Sequence, residues 1–305
     1  MFGGAVFDRK YQALQPLVAG TSNPVAGSHS HGGVARNVAE NLARLGVPVS
    51  FSSIVGRDDT GAMLLKQLED LGVDLCGVAR GDELPTAEYA AILDTTNDLA
   101  LGIADMAILD LYAPDDLDRG WKAAAAARWV FADCNLPGPV LADLAARCRG
   151  AGKPFAVNTV STPKAVKLLG TMDRIAVLFT NRGEAHALLG SAGDAPHAAD
   201  AAKALRQTGV DAAIVTDGGA GYAVLSGGAV TRHDAAPARP VDITGAGDAM
   251  IAGTLARLMA GDRLVAAARC GAWLAARTTE TTDSVLRTLS PQLFAEMTGL
   301  PGQKG

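Results

Sequence analysis

The chain has 305 residues, 49% of them hydrophobic, which is enough to bury a large apolar core. Its net charge of −5 offers no general attraction for nucleic acid or for an anionic membrane. No apolar run approaches the roughly 20 residues of a membrane helix and no signal peptide is recognisable, so the composition favours a cytoplasmic enzyme acting on small molecules, with no nucleic-acid or membrane partner.

The first strong pattern is a helix start at Gly32-Gly33. Apolar residues recur after it at helical spacing and stop at a glycine: Val34, Val38, Leu42, Leu45 and Gly46. Paired glycines let a small polar ligand approach the backbone closely. Asn37 lies one turn into this helix on or beside the buried stripe, where its amide needs a partner from the protein or from a ligand. The ligand is the favoured partner.

Strand-like runs alternate with helical runs along the chain, as in a parallel sheet covered on both faces. The expected strands are 47–54, 129–132, 155–157, 175–179 and 212–215. Two further short strands, 87–93 and 99–103, flank a polar turn at 94–98 and predict a hairpin.

Two polar segments in the first part of the chain resemble functional motifs but favour structural roles. His29 and His31 have no third ligand cluster nearby in the sequence and predict a solvated loop. The segment 56–61 is interpreted as the cap of the helix that follows it.

Two polar segments follow expected strands in the second half of the chain. Asn181 and Glu184 come directly after the strand that ends at Phe179, at the sheet edge where open α/β folds bind ligands. The alternative for this pair is a helix cap. The segment 216–221 also follows a strand, and its glycines suit either a hairpin turn or the close approach of a nucleotide.

The most informative segment begins a late helix. Gly245 and Gly247 leave the backbone unobstructed there, so the amides of the first turn and the helix dipole can face a phosphate. Asp248 lies in the same turn, although a carboxylate opposes anion binding. A base that removes a proton from an attacking hydroxyl has to be at this position, and the alternative is that Asp248 only caps the helix.

The early GG-x-x-x-N helix start and the late D-x-T-G-A-G-D helix start together resemble the ribokinase-like (PfkB) family of carbohydrate and nucleoside kinases over essentially the whole chain. The resemblance implies an α/β, ribokinase-like fold, with a central mostly parallel sheet, helices on both faces and a small β lid. It further implies one kinase domain over residues 1–305, a hairpin lid around 86–104 and a homodimer formed through the lid.

Within the family, several segments most resemble pseudouridine kinases: 21–24, 32–42, 104–106, 132–135 and 181–185. The implied activity is ATP-dependent phosphorylation of the 5′-hydroxyl of pseudouridine. The alternatives are a ribokinase, a fructokinase or a purine nucleoside kinase, and in a different class a non-catalytic nucleotide or sugar sensor. The intact Gly245, Gly247 and Asp248 argue against the sensor.

The resemblance also assigns roles on the nucleotide side. Asp248 would be the base, and the backbone of Gly245, Ala246 and Gly247 would stabilise the transferring phosphoryl group. The remaining assignments are Asn181 and Glu184 for Mg²⁺ through water, Thr216, Gly218 and Gly221 for ATP, and Asp242 and Thr244 for K⁺.

The acceptor would be a small nucleoside or sugar. Asp8, Asn37 and the amides of Gly32 and Gly33 are the expected ribose contacts, with Asn135 as a further polar contact. Asn23 and Asp105 are candidates for contacting the nucleobase of the acceptor. Val6 stands where related kinases commonly have Asn, so one sugar hydrogen bond is not expected. The chain starts only a few residues before Asp8, so the first strand is expected to be short.

Overall fold

The computed structural model describes residues 1–190 and 195–299. The strands are β1 (Val6–Ala13), β2 (Val25–Gly32), β3 (Ile54–Gly56), β4 (Ala79–Gly81), β5 (Glu88–Leu93), β6 (Leu99–Asp105), β7 (Val130–Asp133), β8 (Phe155–Asn158), β9 (Val177–Asn181), β10 (Ala212–Thr216), β11 (Tyr222–Ser226) and β12 (Ala229–His233). The helices are α1 (Val34–Arg44), α2 (Asp59–Asp70), α3 (Ala107–Asp110), α4 (Leu117–Ala126), α5 (Gly138–Gly150), α6 (Thr162–Ala165), α7 (Arg182–Leu188), α8 (Ala198–Leu205), α9 (Ala246–Met259), α10 (Leu264–Thr279) and α11 (Pro291–Thr298).

The main sheet has the strand order β12-β11-β10-β9-β8-β7. Strands β7 to β10 are parallel, and β11 and β12 continue the sheet in antiparallel fashion. Successive buried residues of β7 alternate between two apolar cores: Val130 and Ala132 pack with α4 and α5, and Phe131 packs with α1, α2, α9 and α10. This period of two places helices on both faces, as expected.

The small sheet has the order β2-β1-β5-β6. Strands β5 and β6 form the expected hairpin, and Asp94 accepts bonds from the amides of Thr96 and Asp98 in its turn. Strand β1 pairs antiparallel with β2 and parallel with β5. The small sheet therefore adds two strands to the predicted hairpin.

Three expectations about the first part of the chain were wrong. Strand β1 has eight residues because β2 and β5 pair with it on both sides. His29 and His31 lie in β2, whose small polar sequence carries no strand pattern of its own. The expected strand 47–54 is reduced to single bridges at Ser50 and Ser52 before β3, because each neighbouring segment meets it at one residue only.

The position of α9 is fixed by two helices. It crosses α10 closely: a Cβ atom at Gly271 would lie 2.3 Å from the carbonyl oxygen of Met250. It also packs against α1. The start of α9 is thereby brought beside the start of α1. Among the described residues, no helix is long and apolar enough to cross a membrane.

Candidate active site

The start of α9 presents backbone amides to a cleft at the carboxyl edge of the main sheet. Gly245 precedes the helix with a φ of 79°, and a Cβ atom there would lie 1.9 Å from the carbonyl oxygen of Ser284. Only glycine fits this close approach in a left-handed conformation. The amide of Ala246 donates to Ile243 over 3.3 Å, whereas those of Gly247 and Asp248 have no bonding partner among the described residues. These two amides can bind an anion.

Asn37 and Asp248 are in direct contact. The amide nitrogen of Asn37 donates to Oδ2 of Asp248 over 2.8 Å. The sequence assigned Asn37 to the ribose and Asp248 to the base; the structure joins these two assignments in one hydrogen bond. The Oδ1 atom of Asp248 has no bonding partner within the described part of the chain.

The surroundings of Asp248 favour its protonated form. The pKa of this carboxyl group is raised to about 7, chiefly by burial and also by the carboxylates of Asp133 and Asp8, while the Asn37 bond and the Arg36 charge oppose the shift. The side chain still has partial contact with the cleft. A carboxyl group with a pKa near neutrality suits proton transfer at physiological pH.

Asp8 lies on β1 against the paired glycines. A Cβ atom at Gly32 would lie 1.9 Å from Oδ2 of Asp8, so the carboxylate occupies the space that a side chain would need. The Asp8 carboxylate accepts no hydrogen bond from the residues that the structure describes. Burial raises its pKa to about 6, against the opposing charges of Arg36 and Lys10. An unpaired acceptor in this position is suited to hydroxyl groups of a ligand.

Asp133, at the end of β7, holds the floor of this region together. Its fully buried carboxylate accepts bonds from the amides of Ala35 at 2.7 Å, Asn135 at 2.9 Å and Gly4 at 3.1 Å. Burial raises its pKa and these amide bonds oppose the rise. Asp133 thus fixes the start of α1 to the sheet edge, and it places a negative charge near Asp248.

Asn135 lies beside Lys164, a residue that no sequence pattern assigned to the site. The ammonium group of Lys164 donates to Oδ1 of Asn135 over 2.6 Å and lies 3.7 Å from the sulfur of Met106. Burial lowers the pKa of Lys164. This side-chain cluster joins the end of β7, the short helix α6 and the segment after β6, so it bridges the two sheets.

Asn23 and Asp105, the two candidates for contacting the nucleobase, lie away from the contact between Asn37 and Asp248. Asn23 is half-buried and bonds within its own loop, to the backbone nitrogen and oxygen of Val18 at 2.8 and 2.9 Å. Asp105 is exposed at the end of β6, next to Met106. Among the described residues, neither forms a hydrogen bond with Asp8, Asn37 or Asp248.

Asn181 and Glu184 form a reciprocal cap at the start of α7. The Asn181 side chain accepts from the amide of Glu184 at 2.9 Å, and Glu184 accepts from the backbone and side-chain nitrogens of Asn181 at 3.1 and 2.8 Å. Thr159 also donates to Glu184. The helix-cap interpretation therefore holds, and any role with a metal ion comes in addition to it.

A cavity of about 160 Å³ lies between the start of α7 and the start of α9. Its lining includes Asn181, Glu184, Thr216, Gly247 and Asp248. The cavity therefore brings together residues that the sequence assigned separately to the metal, to ATP and to catalysis.

The glycines that follow Thr216 form the turn between β10 and β11. Gly218 has a φ of 54° and open space around its Cα atom. At Gly221 a Cβ atom would lie 2.1 Å from the backbone oxygen of His233, with φ at 97°. Gly221 is thus required by the hairpin itself, whereas Gly218 leaves room for a ligand.

Asp242 and Thr244 contact each other before α9. The Oδ1 atom of Asp242 accepts from the amide and hydroxyl of Thr244 at 2.9 and 2.7 Å. Its Oδ2 atom pairs with the ammonium group of Lys10 at 2.5 Å. Lys10 is on β1, so this ion pair connects the small sheet to the loop that precedes the candidate base.

A carboxylate at an amide-lined helix start, facing an unpaired acceptor on a second sheet, defines a phosphotransferase that acts on a hydroxyl group. The model of the pfkB family of carbohydrate kinases matches residues 4–288. The chain belongs to this family.

Relatives and solved structures agree with this assignment. The chain is 33% identical over 260 residues to a pseudouridine kinase from Escherichia coli, covering 83% of this chain and 81% of the relative. A carbohydrate kinase from Agrobacterium tumefaciens has a similar structure, with a TM-score of 0.85, 32% identity, and coverage of 99% of this chain and 97% of that one. The Arabidopsis thaliana ribokinase solved with ribose and ATP has a TM-score of 0.85 at 22% identity, with 98% of each chain covered.

Proposed function

We propose that this kinase transfers the γ-phosphoryl group of ATP to the 5′-hydroxyl of pseudouridine. The observation that carries the transfer step is the position of Asp248, bonded to Asn37 on one side and next to two unpaired amides on the other. The similarity to the Escherichia coli pseudouridine kinase supports the choice of acceptor.

Each residue then has one task in the transfer. Asp8 accepts hydroxyl groups of the ribose and so orients the nucleoside. Asp248 removes the proton from the attacking 5′-hydroxyl through Oδ1 while Asn37 holds Oδ2. The amides of Gly247 and Asp248 donate to the oxygens of the transferring phosphoryl group, where negative charge is concentrated. Positioning and charge stabilisation supply most of the rate enhancement in this type of reaction.

Asn181 and Glu184 fit a magnesium ion held through water. Glu184 already accepts three bonds from Asn181 and Thr159, and a carboxylate has about four lone-pair sites in all, so one site on Oε1 remains for a bound water molecule. Mg²⁺ retains several waters and few protein ligands in nucleotide sites. When bound it would neutralise phosphate charge in the cavity beside Gly247.

A potassium ion fits less readily, because Lys10 and Thr244 already engage Asp242. Potassium would have to compete with an ammonium group for this carboxylate. Turnover in potassium buffer and in tetramethylammonium buffer compares the two cases directly. A strict requirement for potassium would show that Lys10 leaves Asp242 in the working enzyme.

The small sheet is proposed to cover the acceptor and to pair with a second subunit. Its strand β6 exposes three apolar side chains, with Leu99, Leu101 and Ile103 at 57%, 54% and 51% exposure. A row of exposed apolar residues on an edge strand is a candidate interface. Sedimentation of the wild-type chain should give a dimer mass, and a Leu101→Lys variant should give a monomer mass.

Lys164 and Asn135 support a nucleoside as the acceptor. An ammonium group and an amide provide donors for the carbonyl oxygens of a pyrimidine, and Oδ1 of Asn135 keeps one lone pair for a ring N–H group. Pseudouridine carries one more ring N–H group than uridine. A site built to bond this group disfavours uridine by about 1 to 3 kcal/mol, or about one to two decades.

The decisive experiment is ADP release with pseudouridine, uridine, adenosine, inosine, ribose and fructose as acceptors. We expect the highest kcat/KM with pseudouridine. Equal values for pseudouridine and uridine, or a higher value with ribose or a purine nucleoside, would reject pseudouridine as the acceptor. The assignment as a kinase would stand. Failure with every acceptor would favour the alternative of a non-catalytic sensor.

A pair of lysines tests the role of the side-chain cluster. Lys164→Met should lower kcat/KM for pseudouridine about tenfold, the effect of one charged hydrogen bond, and should leave the KM for ATP unchanged. Lys167→Met is the matched control, because Lys167 donates to the backbone oxygens of Cys134 and Leu136, each at 3.1 Å. Equal kinetic losses in the two variants would contradict a specific role for Lys164.

A further inference from the structure

Arg36 is buried one residue before the candidate sugar contact. Its guanidinium group is 1% exposed, and it bonds Gln67 at 2.7 Å and Glu40. Burying a charged group is costly unless it is fully paired, and its Nε atom has no partner. Glu40 already has a second guanidinium partner in Arg44, at 2.8 Å. Pairing with Glu40 alone therefore does not explain why a second arginine is buried here.

Arg36 differs from Arg44 in its bonds to Gln67 and Asn37, and the bond to Asn37 is the one that leads to the candidate base. The Nη1 atom of Arg36 donates to Oδ1 of Asn37 over 2.9 Å. A guanidinium group has only donors, so the oxygen of the Asn37 amide must face it and the nitrogen must face away. That nitrogen donates to Oδ2 of Asp248 over 2.8 Å. Rotating the amide by a half turn would place its oxygen against the carboxylate and lose both bonds.

Arg36 also balances the negative charges around Asp248. Asp8 faces Asp248 from β1 and Asp133 faces it from the end of β7, while Glu184 borders the same cavity from α7. Arg36, from α1, is a cation that acts on both carboxyl groups, and it opposes the rise in the pKa of Asp8 and of Asp248. Without it, repulsion among these carboxylates would favour protonation of the base.

We propose that Arg36 is a positioning residue for phosphoryl transfer: through Asn37 it holds one oxygen of Asp248 and leaves the other oxygen for the acceptor hydroxyl. The inference rests on the proposed role of Asp248 as the base. It accounts for the burial of a guanidinium group next to Asn37, and it gives Asn37 a role towards the catalytic base Asp248 as well as towards the sugar.

The matched test compares Arg36→Met with Arg44→Met. Each substitution removes one guanidinium group from Glu40, but only the first removes the bond to Asn37. With the acceptor that is used fastest in the panel, Arg36→Met should lower kcat about tenfold at pH 7, as expected for a disturbed base. The KM for ATP should not change. The acidic limb of the kcat–pH profile should move to higher pH, since the Arg36 charge lowers the pKa of Asp248. Arg44→Met should keep the wild-type profile.

Two further variants keep the test valid if Arg36→Met does not fold. Arg36→Lys retains the charge but lacks the planar fork that bonds several partners at once, so it should restore the pH profile without restoring the full kcat. If Arg36 acts through Asn37, Arg36→Lys should also cause no additional loss of kcat in an Asn37→Ala background.

Several outcomes would overturn the proposal. These are equal kinetic losses in Arg36→Met and Arg44→Met with unshifted pH profiles, a change confined to the KM for ATP, or full additivity of Arg36→Lys and Asn37→Ala. A kcat near the wild-type value in Asp248→Asn would instead reject Asp248 as the base, and would thus separate failure of the proposed function from failure of this inference.

Discussion

Two helix starts face each other across the cleft, and they treat their backbone amides in opposite ways. At the start of α7, Asn181 and Glu184 satisfy each other's polar groups in a reciprocal cap. At the start of α9, Gly245 supplies no capping side chain, and the amides of Gly247 and Asp248 are left without a partner in the described structure.

The difference shows how a fold divides stability and binding between similar elements. A capped start stabilises its helix by about 1 kcal/mol and leaves little for a ligand. An uncapped start gives up that stabilisation and retains the amides and the helix dipole for an anion. The acidic residues at the two helix starts differ in the same way. Glu184 accepts hydrogen bonds from other residues of the protein, while Asp248 keeps one oxygen available for a substrate.

The largest expected effect comes from Asp248→Asn, which removes the base from the uncapped start. We expect kcat to fall by about 10² to 10⁴, the range typical of a general base, with little change in the KM for ATP. Steady-state kinetics measure both quantities. A kcat within about tenfold of the wild-type value would contradict the assigned role.

The same substitution should change stability in the opposite direction. The pKa of Asp248 rises from 3.8 in the unfolded chain to about 7 in the folded one, so the folded chain loses stability as the pH rises through this interval. Asp248→Asn should therefore melt at a higher temperature than the wild type at pH 8 and at a similar temperature at pH 4. Thermal unfolding at the two pH values checks this result.

The next effect separates the two glycines of the uncapped start. Gly247→Ala adds a methyl group where no protein atom lies within 4 Å, on a surface that lines the cavity. The chain should fold normally and lose about tenfold to hundredfold in kcat/KM for ATP, because the methyl group obstructs the phosphate. Gly245→Ala is the contrasting variant, since its methyl group would meet Ser284, and it should lower the melting temperature. A normal kcat/KM in Gly247→Ala would indicate that the phosphate binds elsewhere.

The smallest effect is expected at the capped start. Asn181→Ala should destabilise the chain by about 1 kcal/mol, or about 2 to 4 °C in melting temperature. Asn181→Ser keeps an N-cap acceptor but removes the amide, so it should keep the stability. If both variants require more Mg²⁺ for half-maximal activity, Asn181 contributes to the metal site. A higher requirement in the alanine variant alone would limit Asn181 to capping.

Much of this site was predictable because it consists of local patterns. The helix starts at Gly33 and Gly245, the cap at Asn181 and the hairpin turn at Asp94 each depend on a few adjacent residues whose conformational preferences are strong. The sheet edge then brings separate segments together in a way that the α/β alternation already implies. Asn37 and Asp248 could be named on this basis, whereas Asp8 was named only through the family resemblance.

The parts that could not be predicted depend on contacts between distant segments. Strand β2 has a polar sequence and exists because β1 pairs with it. Arg36 and Lys164 resemble ordinary surface cations in the sequence, and only the packing shows one to be buried and the other to lie beside Asn135. The ion pair of Lys10 and Asp242 joins residues 232 positions apart. No local pattern in the sequence encodes such contacts.

The geometry of the cleft also depends on the interior crossing of α9 and α10. A methyl group at Gly271 would lie 2.3 Å from the Met250 oxygen and 2.4 Å from the Thr254 hydroxyl, so α9 would have to shift to admit it. The amides of Gly247 and Asp248 belong to the same rigid helix and would shift with it. With the phosphate bound at these amides as proposed, the hydrogen atom that Gly271 carries in place of a side chain helps to set the distance between the phosphate and the acceptor hydroxyl.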